Sequence, residues 1–482
     1  MKSTLYTPAG ELLASVSSTY PLIYGKEFEV EQNPDHWWKA LCENTRNILG
    51  SVNRNAVECI TFSGQMMGLV AVDDHGNPLR NALIWADQRA HKEAETLNNR
   101  FTSDTLYSLT GNLMTPSYSA PKMWWYKRHE PELYERTRCF LQAKDFLIYK
   151  LTGQFVTDYS DASGTGLFDI HRKEWLGDLL DYMEISPSKL PQVHASTTCI
   201  GNITSEAAIA CGLSDGTKVV IGGADGSCAA MGAGVLENND LFTYIGSSAW
   251  VAGATDRPIL DPLKQTFNFI HIDDEKIMPI GTMQAAGTSF EWIRSITATN
   301  EANSIDWMNQ QAEASPIGAK NLLFLPYLLG ERSPIWDPHA KGSFVGLTTR
   351  HERGDLIRAV MEGVALNLKW IYECLSKNQN YQELWFFGGG ANSSLWQQMM
   401  ANMTGLPVHI PKMKDEITGM GAAIAAAVGI GELISLKDAK SWVQLDKVIE
   451  PNEQDVVFYK EQLLKMQNLY LALKPYFNKE MN

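Results

Sequence analysis

Apolar runs of three or four residues recur along the chain, and each runs into glycine. Cys59-Ile60-Thr61-Phe62 leads into Ser63-Gly64-Gln65, and Val219-Val220-Ile221 leads into Gly222-Gly223-Ala224-Asp225-Gly226. Leu384-Trp385-Phe386-Phe387 leads into Gly388-Gly389-Gly390. Short β-branched and aromatic runs bounded by glycine predict strands. Elsewhere the apolar period is helical. Leu356, Val360, Val364 and Asn367 share a face, with Ala359 and Gly363 beside them, so a helix is predicted that packs close against a neighbour. Residues 37–49 predict a second amphipathic helix. Residues 419–431, short and rich in Gly and Ala, predict a buried helix rather than a membrane span. Strand, glycine turn, helix is the order of α/β proteins, whose sites lie at the carboxyl ends of strands.

At 482 residues and 44% hydrophobic composition, the chain is too long for one ordinary domain. It has no low-complexity linker and no short-period repeat. The boundary expected is near residues 235–240, before the apolar run Phe242-Thr243-Tyr244-Ile245, giving domains 1–237 and 238–482. The net charge of -14 argues against nucleic acid or an anionic membrane as partner. It leaves ATP open, because backbone amides and a metal ion bind phosphate inside an acidic protein. Cys42, Cys59, Cys139, Cys199, Cys211, Cys228 and Cys374 show no C-x-x-C spacing and no accompanying histidine cluster. That pattern argues for a reducing compartment and against a disulfide framework or zinc site. The first residues lack an apolar signal core, so a cytoplasmic location is expected.

Three segments carry candidate chemistry. Asp225 stands at a strand end between glycines, where a carboxylate can take a proton from a hydroxyl attacking phosphorus. The alternative is an aspartate that caps the following helix. Gly388-Gly389-Gly390 precedes a helical stretch through Trp396, Met399, Met400 and Met403. Glycines there suit nucleotide contact or tight strand-on-helix packing, with the methionines as core. Without a G-x-x-x-x-G-K-[ST] sequence the chain is not a P-loop enzyme, and no G-x-G-x-x-G stands in a dinucleotide-binding context. Phe62-Ser-Gly-Gln-Met-Met-Gly-Leu-Val70 and Ile84-Trp-Ala-Asp-Gln-Arg89 mix aromatic and hydrogen-bonding groups, as sugar binding requires. The alternative there is core packing for Trp85 and a surface ion pair between Asp87 and Arg89.

Together these segments resemble the FGGY family of carbohydrate kinases over nearly the whole chain. Gly342-Ser-Phe-Val-Gly-Leu347, then seven residues, then Asp355-Leu-Ile-Arg-Ala-Val-Met-Glu362 fits the family's second signature. Ser117-Tyr-Ser-Ala-Pro-Lys-Met-Trp-Trp125 fits most of the first, departing at Tyr126. Leu329-Gly-Glu-Arg-Ser-Pro334, Gly388-Gly-Gly-Ala391 and Glu416-Ile-Thr-Gly-Met-Gly-Ala-Ala423 match as well. The resemblance implies two ribonuclease-H-like lobes, of the actin-like ATPase and sugar kinase type, around a central cleft. A sugar would bind in the first lobe and ATP mainly on the second.

By the same resemblance Asp225 matches the general base, and Gln65, Met66, Met67, Trp85, Asp87 and Ser117 match sugar-pocket positions. Gly246, Ser247 and Ser248 match a phosphate loop, Gly287 and Glu291 fall near the nucleotide, and Gly389, Gly390 and Ser394 match adenosine contacts. Mg2+ would be held by phosphates and water, with no protein metal site. A homodimer is compatible with the family. Ser-Gly-Gln-Met looks most like the xylulokinase-like members, which carry His where this chain has Met67. Trp-Ala-Asp-Gln-Arg resembles gluconate kinases as much. The substrate implied is a ketopentose such as xylulose first, and another sugar, polyol or aldonate second. The family opens with an apolar strand and an Asp-x-Gly-Thr/Ser phosphate loop, whereas Lys2-Ser-Thr-Leu-Tyr-Thr-Pro-Ala-Gly10 looks like the second strand and its turn. The first strand is thus expected to be missing, and a catalytically impaired sugar-binding regulator is the alternative from another class.

Overall fold

The computed structural model describes residues 1–26, 28–50, 52–298 and 304–477. Its largest sheet has seven strands, in the order Phe267–Ile270, Ile277–Met283, Ala249–Gly253, Leu241–Ile245, Leu384–Phe387, Val408–Pro411 and Leu445–Ile449. Leu241–Ile245 and Leu384–Phe387 run parallel, with Thr243 opposite Phe386. Their glycine-rich ends therefore emerge side by side. Contact is so close that a Cβ on Gly388 would lie 2.6 Å from the Ile245 carbonyl oxygen. Gly388 also has a φ of 83°, a region that L side chains avoid.

The predicted helix over 356–367 is the middle of Arg353–Ser376, and its close neighbour is a strand. A Cβ on Gly363 would sit 2.3 Å from the Phe324 carbonyl oxygen in Leu323–Leu325. Trp37 lies in the helix Pro34–Leu49, which Asn33 caps by accepting the Asp35 N–H at 2.9 Å.

The first half is built from shorter strands. Cys59–Ile60 pairs in parallel with Lys218–Val220, and Ser63–Gly64 then pairs in parallel with Gly223–Ala224. The glycine segments expected as turns therefore continue the pairing, and the predicted strands are interrupted instead. Gly222, at φ 71°, is the interruption: a Cβ there would lie 2.0 Å from the Phe62 carbonyl oxygen. Asp225 and Gln65 follow the two paired ends directly.

Lys2–Tyr6 and Leu12–Ser17 form the expected hairpin, turned by the Gly10 N–H donating to the Thr7 carbonyl at 2.9 Å. Among the described residues the other edge of Lys2–Tyr6 pairs with no strand. It faces Cys59–Ile60 across a cavity of about 550 Å³ whose wall includes Trp37, Leu41, Leu147, Ala422, Ala426 and, at one end, Asp225.

Residues 419–431 do form a buried helix, Ile417–Ile430. It crosses the helix Asp225–Gly232 at glycine-to-backbone contact: a Cβ on Gly421 would be 1.8 Å from the Cys228 carbonyl oxygen, and one on Gly232 would be 1.9 Å from that of Ile417. Although it lies beyond residue 238, this helix packs on the strands Lys2–Tyr6 and Lys218–Val220. It joins the two halves directly behind Asp225. Gly421→Ala should therefore lower stability by about 1–3 kcal/mol, read as a lower urea midpoint. An unchanged midpoint would show that the crossing has slack. No described helix is long and apolar enough to cross a membrane.

Candidate active site

Asp225 is the first residue of its helix, and its Oδ1 accepts the Gly226 N–H at 2.8 Å. The residue in the capping position is Ala224, so Asp225 binds only its neighbour's N–H and its carboxylate stays exposed. The surrounding protein pushes it up to about 6, against the Gly226 N–H and the positive charge of Arg332. A buried network holds the strand end from behind. The Ala224 N–H donates to Ser160 Oγ at 2.9 Å, Ser160 Oγ donates to Asp158 Oδ2, and Asp158 Oδ1 lies 3.0 Å from Lys144 Nζ. Gly223 leaves room for this network, since a Cβ there would lie 2.9 Å from Ser160 Oγ and 2.3 Å from Ile272 Cδ1.

The sugar-side candidates gather around one fully buried ammonium. Lys122 Nζ donates to the Met67 carbonyl at 3.0 Å, to the Ile84 carbonyl at 2.7 Å and to the Ser117 carbonyl. Loops bearing Met66 and Met67, Trp85 and Ser117 are thereby tied together, a role the sequence alone did not reveal. Met67 holds a φ of 65°, a backbone state uncommon outside glycine. Met66, Met67, Tyr118 and Ala224 share a core with Phe242, Phe267, Phe269 and Phe387 of the large-sheet half. Gln65 donates from Nε2 to Gln32 Oε1 at 2.8 Å, and Gln88 Nε2 donates to Ser117 Oγ at 2.8 Å. Trp85 is 42% exposed, which rules out the core alternative and leaves a ring face available.

Asp87 departs from expectation in both of its readings. It is fully buried, so its pair with Arg89 is no surface bridge. Its Oδ2 accepts the Val30 N–H at 2.8 Å and Arg89 Nη2 at 2.7 Å, while Oδ1 accepts Arg89 Nε at 2.9 Å. Arg89 also reaches Glu31 at 2.7 Å and stacks on Trp125 at 5.1 Å. With both oxygens engaged, Asp87 positions the loop rather than offering a free acceptor.

Across the cleft, the turn Gly246-Ser247-Ser248 joins Leu241–Ile245 to Ala249–Gly253 and seats the start of the helix Gly287–Thr297. The Gly287 N–H donates to the Gly246 carbonyl at 2.9 Å, and the Thr288 N–H to that of Ser247 at 3.1 Å. A Cβ on Gly287 would lie 2.3 Å from the Gly246 oxygen. Gly389–Asn392 is a tight turn, and the helix begins only at Ser394. Gly390 packs on Ile245, but a Cβ on Gly389 would meet nothing within 4 Å, so its backbone faces open space. Ser394 Oγ donates to Glu313 at 3.3 Å, and Glu291 pairs with Arg294 on an exposed face. These two lie at the margin. Met399, Met400 and Met403 are buried core, as read from the sequence.

The model for the FGGY family of carbohydrate kinases, N-terminal domain, matches residues 1–232, and that for the C-terminal domain matches residues 244–430. The chain belongs to the FGGY family of carbohydrate kinases. It is 35% identical over 479 residues to a xylulose kinase of Bacillus subtilis (strain 168), covering 98% of this chain and 95% of the relative. A ligand-bound xylulose kinase from Lactobacillus acidophilus superposes with a TM-score of 0.93 at 30% identity, covering 98% of this chain and 96% of that one. A gluconate kinase from the same species gives a TM-score of 0.93 at 30% identity, over 98% and 95%. As an FGGY kinase the chain is a phosphotransferase with an alcohol acceptor, built as two α/β lobes about a cleft. Among the described residues no group of three or more His, Cys, Asp or Glu side chains is arranged to hold a metal ion.

Proposed function

We propose that this kinase transfers the γ-phosphate of ATP to a hydroxyl of a ketopentose, D-xylulose first, with Asp225 as general base. The observation that carries this reading is Asp225 itself: an exposed carboxylate at the end of the paired strands Ser63–Gly64 and Gly223–Ala224, raised to about 6, with Arg332 of the other half beside it. Residues 1–237 would bind the sugar through Gln65, Met66, Met67, Trp85 and Ser117. Residues 238–482 would bind ATP along Gly246, Ser247, Ser248, Gly287, Gly389 and Gly390, with Glu291 and Ser394 at the rim. Magnesium bound with the nucleotide would neutralise charge on the transferring phosphoryl group. The seven cysteines are free thiols, which suits a cytoplasmic enzyme.

An aldonate is the second reading, supported by the equal superposition on a gluconate kinase. Met67 bears on the choice. A thioether in place of a hydrogen-bonding imidazole is adaptable and gives up one polar check on the substrate. Among D-xylulose, D-ribulose, glycerol and D-gluconate, kcat/KM should be highest for D-xylulose, with a lead below about 100-fold. A lead of several orders of magnitude would refute the role given to Met67. A panel led by D-gluconate would replace the ketopentose reading.

A further inference from the structure

Loop 326–342, between the strands Leu323–Leu325 and Ser343–Val345, belongs to the nucleotide-side lobe. Its backbone is clamped there. Glu331 Oε1 accepts the Gln284 N–H at 2.8 Å and the Arg332 N–H at 2.8 Å. Glu331 and Asp337 exchange backbone hydrogen bonds of 2.9 Å, and the Ser333 N–H donates to the Thr282 carbonyl at 3.1 Å. The Arg332 side chain leaves this clamp and crosses to the sugar side, where its guanidinium carbon lies 5.9 Å from the centre of the Trp85 ring. Arg332 Nε is buried and has no hydrogen-bond partner among the described residues. Trp336 Nε1, from the same loop and packed against the Met66, Met67 and Tyr118 cluster, is likewise buried and unpartnered.

A buried N–H without an acceptor is costly, and arginine is costlier to leave unpaired than most groups. Contrast Arg89, whose Nε and Nη2 donate to Asp87 and Glu31. The carboxylate next to Arg332 along the chain, Glu331, has spent Oε1 on two backbone N–H groups and Oε2 on Asn367 Nδ2 at 3.4 Å. What the guanidinium faces is Trp85, Tyr118 and Asp225. We propose that Arg332 is a substrate-binding, specificity-determining residue that crosses the cleft to donate hydrogen bonds to an oxygen of the acceptor held between Trp85 and Asp225. The inference rests on the acceptor site proposed above and adds the lobe-closing cation to it. The planar fork accepts a carboxylate in bidentate fashion, so the same residue sets how well an aldonate competes with a neutral ketose.

The test uses R332K, R332Q and R332A in the full chain, with sugar affinity measured by calorimetry without nucleotide and KM measured separately for sugar and ATP. R332Q and R332A should weaken sugar binding roughly 10- to 100-fold, as for loss of a charge-assisted hydrogen bond, with the larger loss for D-gluconate. The KM for ATP should stay within about twofold, R332K should recover part of the affinity, and guanidinium ion should partly rescue R332A. Unchanged sugar affinity in well-folded R332Q and R332A would overturn the proposal, as would an ATP KM rising in step with that of the sugar. Should those two variants fail to fold, R332K decides, because wild-type sugar affinity in it would also refute a fork-shaped contact. Calorimetry keeps this result separate from the kinase reading: absence of turnover in the wild type would sink that reading and leave the Arg332 comparison intact.

Discussion

Asp225→Asn should lose about a hundred- to ten-thousand-fold in turnover while still binding sugar. Asparagine preserves the shape and can still accept the Gly226 N–H, but it cannot take the acceptor's proton. The pH dependence follows from the same environment. Desolvation pushes Asp225 up to about 6, so kcat/KM in the wild type should fall on the acid side with a limb near pH 6. Stability moves the opposite way to activity. The folded-state value lies above the ordinary 3.8, so the group's contribution is fully present below that value and is lost as pH rises through about 6. At pH 7.5 the ionised carboxylate is therefore a small burden on the fold, small because water in the open cleft screens it, and Asp225→Asn should melt no lower than the wild type. Near-normal turnover in the variant would remove Asp225 from its role. A lower melting temperature at pH 7.5 would contradict the electrostatic account.

Lys122→Met should cost about 1–3 kcal/mol of unfolding free energy, as for leaving buried acceptors without their donor. The carbonyls of Met67, Ile84 and Ser117 would lose their common donor inside the protein, where an unpaired oxygen is penalised, although Ile84 keeps the Asp87 N–H at 3.0 Å. Burial, helped by the nearby Arg89, pushes the ammonium down to about 7 against the pull of the Asp87 carboxylate. Methionine fills similar space, so the loss is one of hydrogen bonding rather than packing. Because the tied loops present Met67, Trp85 and Ser117, surviving protein should also show a raised sugar KM with an unchanged ATP KM. Equilibrium unfolding in urea measures the first effect. A loss below about 1 kcal/mol would mean that the loops hold their shape without Lys122.

The parts of this site that were legible in the sequence are the local ones. A carboxylate among glycines at a strand end and a glycine triplet after an aromatic strand are short-range patterns, and both lie where the chain pattern put them. The length of the strand at Cys59 was not legible, because Gly222 pressed against the Phe62 carbonyl ends it from across the sheet. Lys122 sits in the helix Ser119–His129, where a lysine reads as a solvated face. Only the convergence of three distant loops makes it a buried strut. Asp87 and Arg89 read as a sugar ligand or a surface pair because Glu31 and the Val30 N–H, more than fifty residues earlier, complete their network. Arg332 was visible as part of a motif, but its reach to Trp85 depends on how the lobes meet.

The central claim is phosphoryl transfer from ATP to a sugar hydroxyl, and 31P NMR of the purified chain with ATP, Mg2+ and D-xylulose tests it most directly. A sugar phosphomonoester resonance should grow in step with ADP and be absent from the Asp225→Asn reaction. Inorganic phosphate as the sole product would contradict it, as would no change at all from a protein that still binds the sugar, the behaviour of a regulator rather than a kinase.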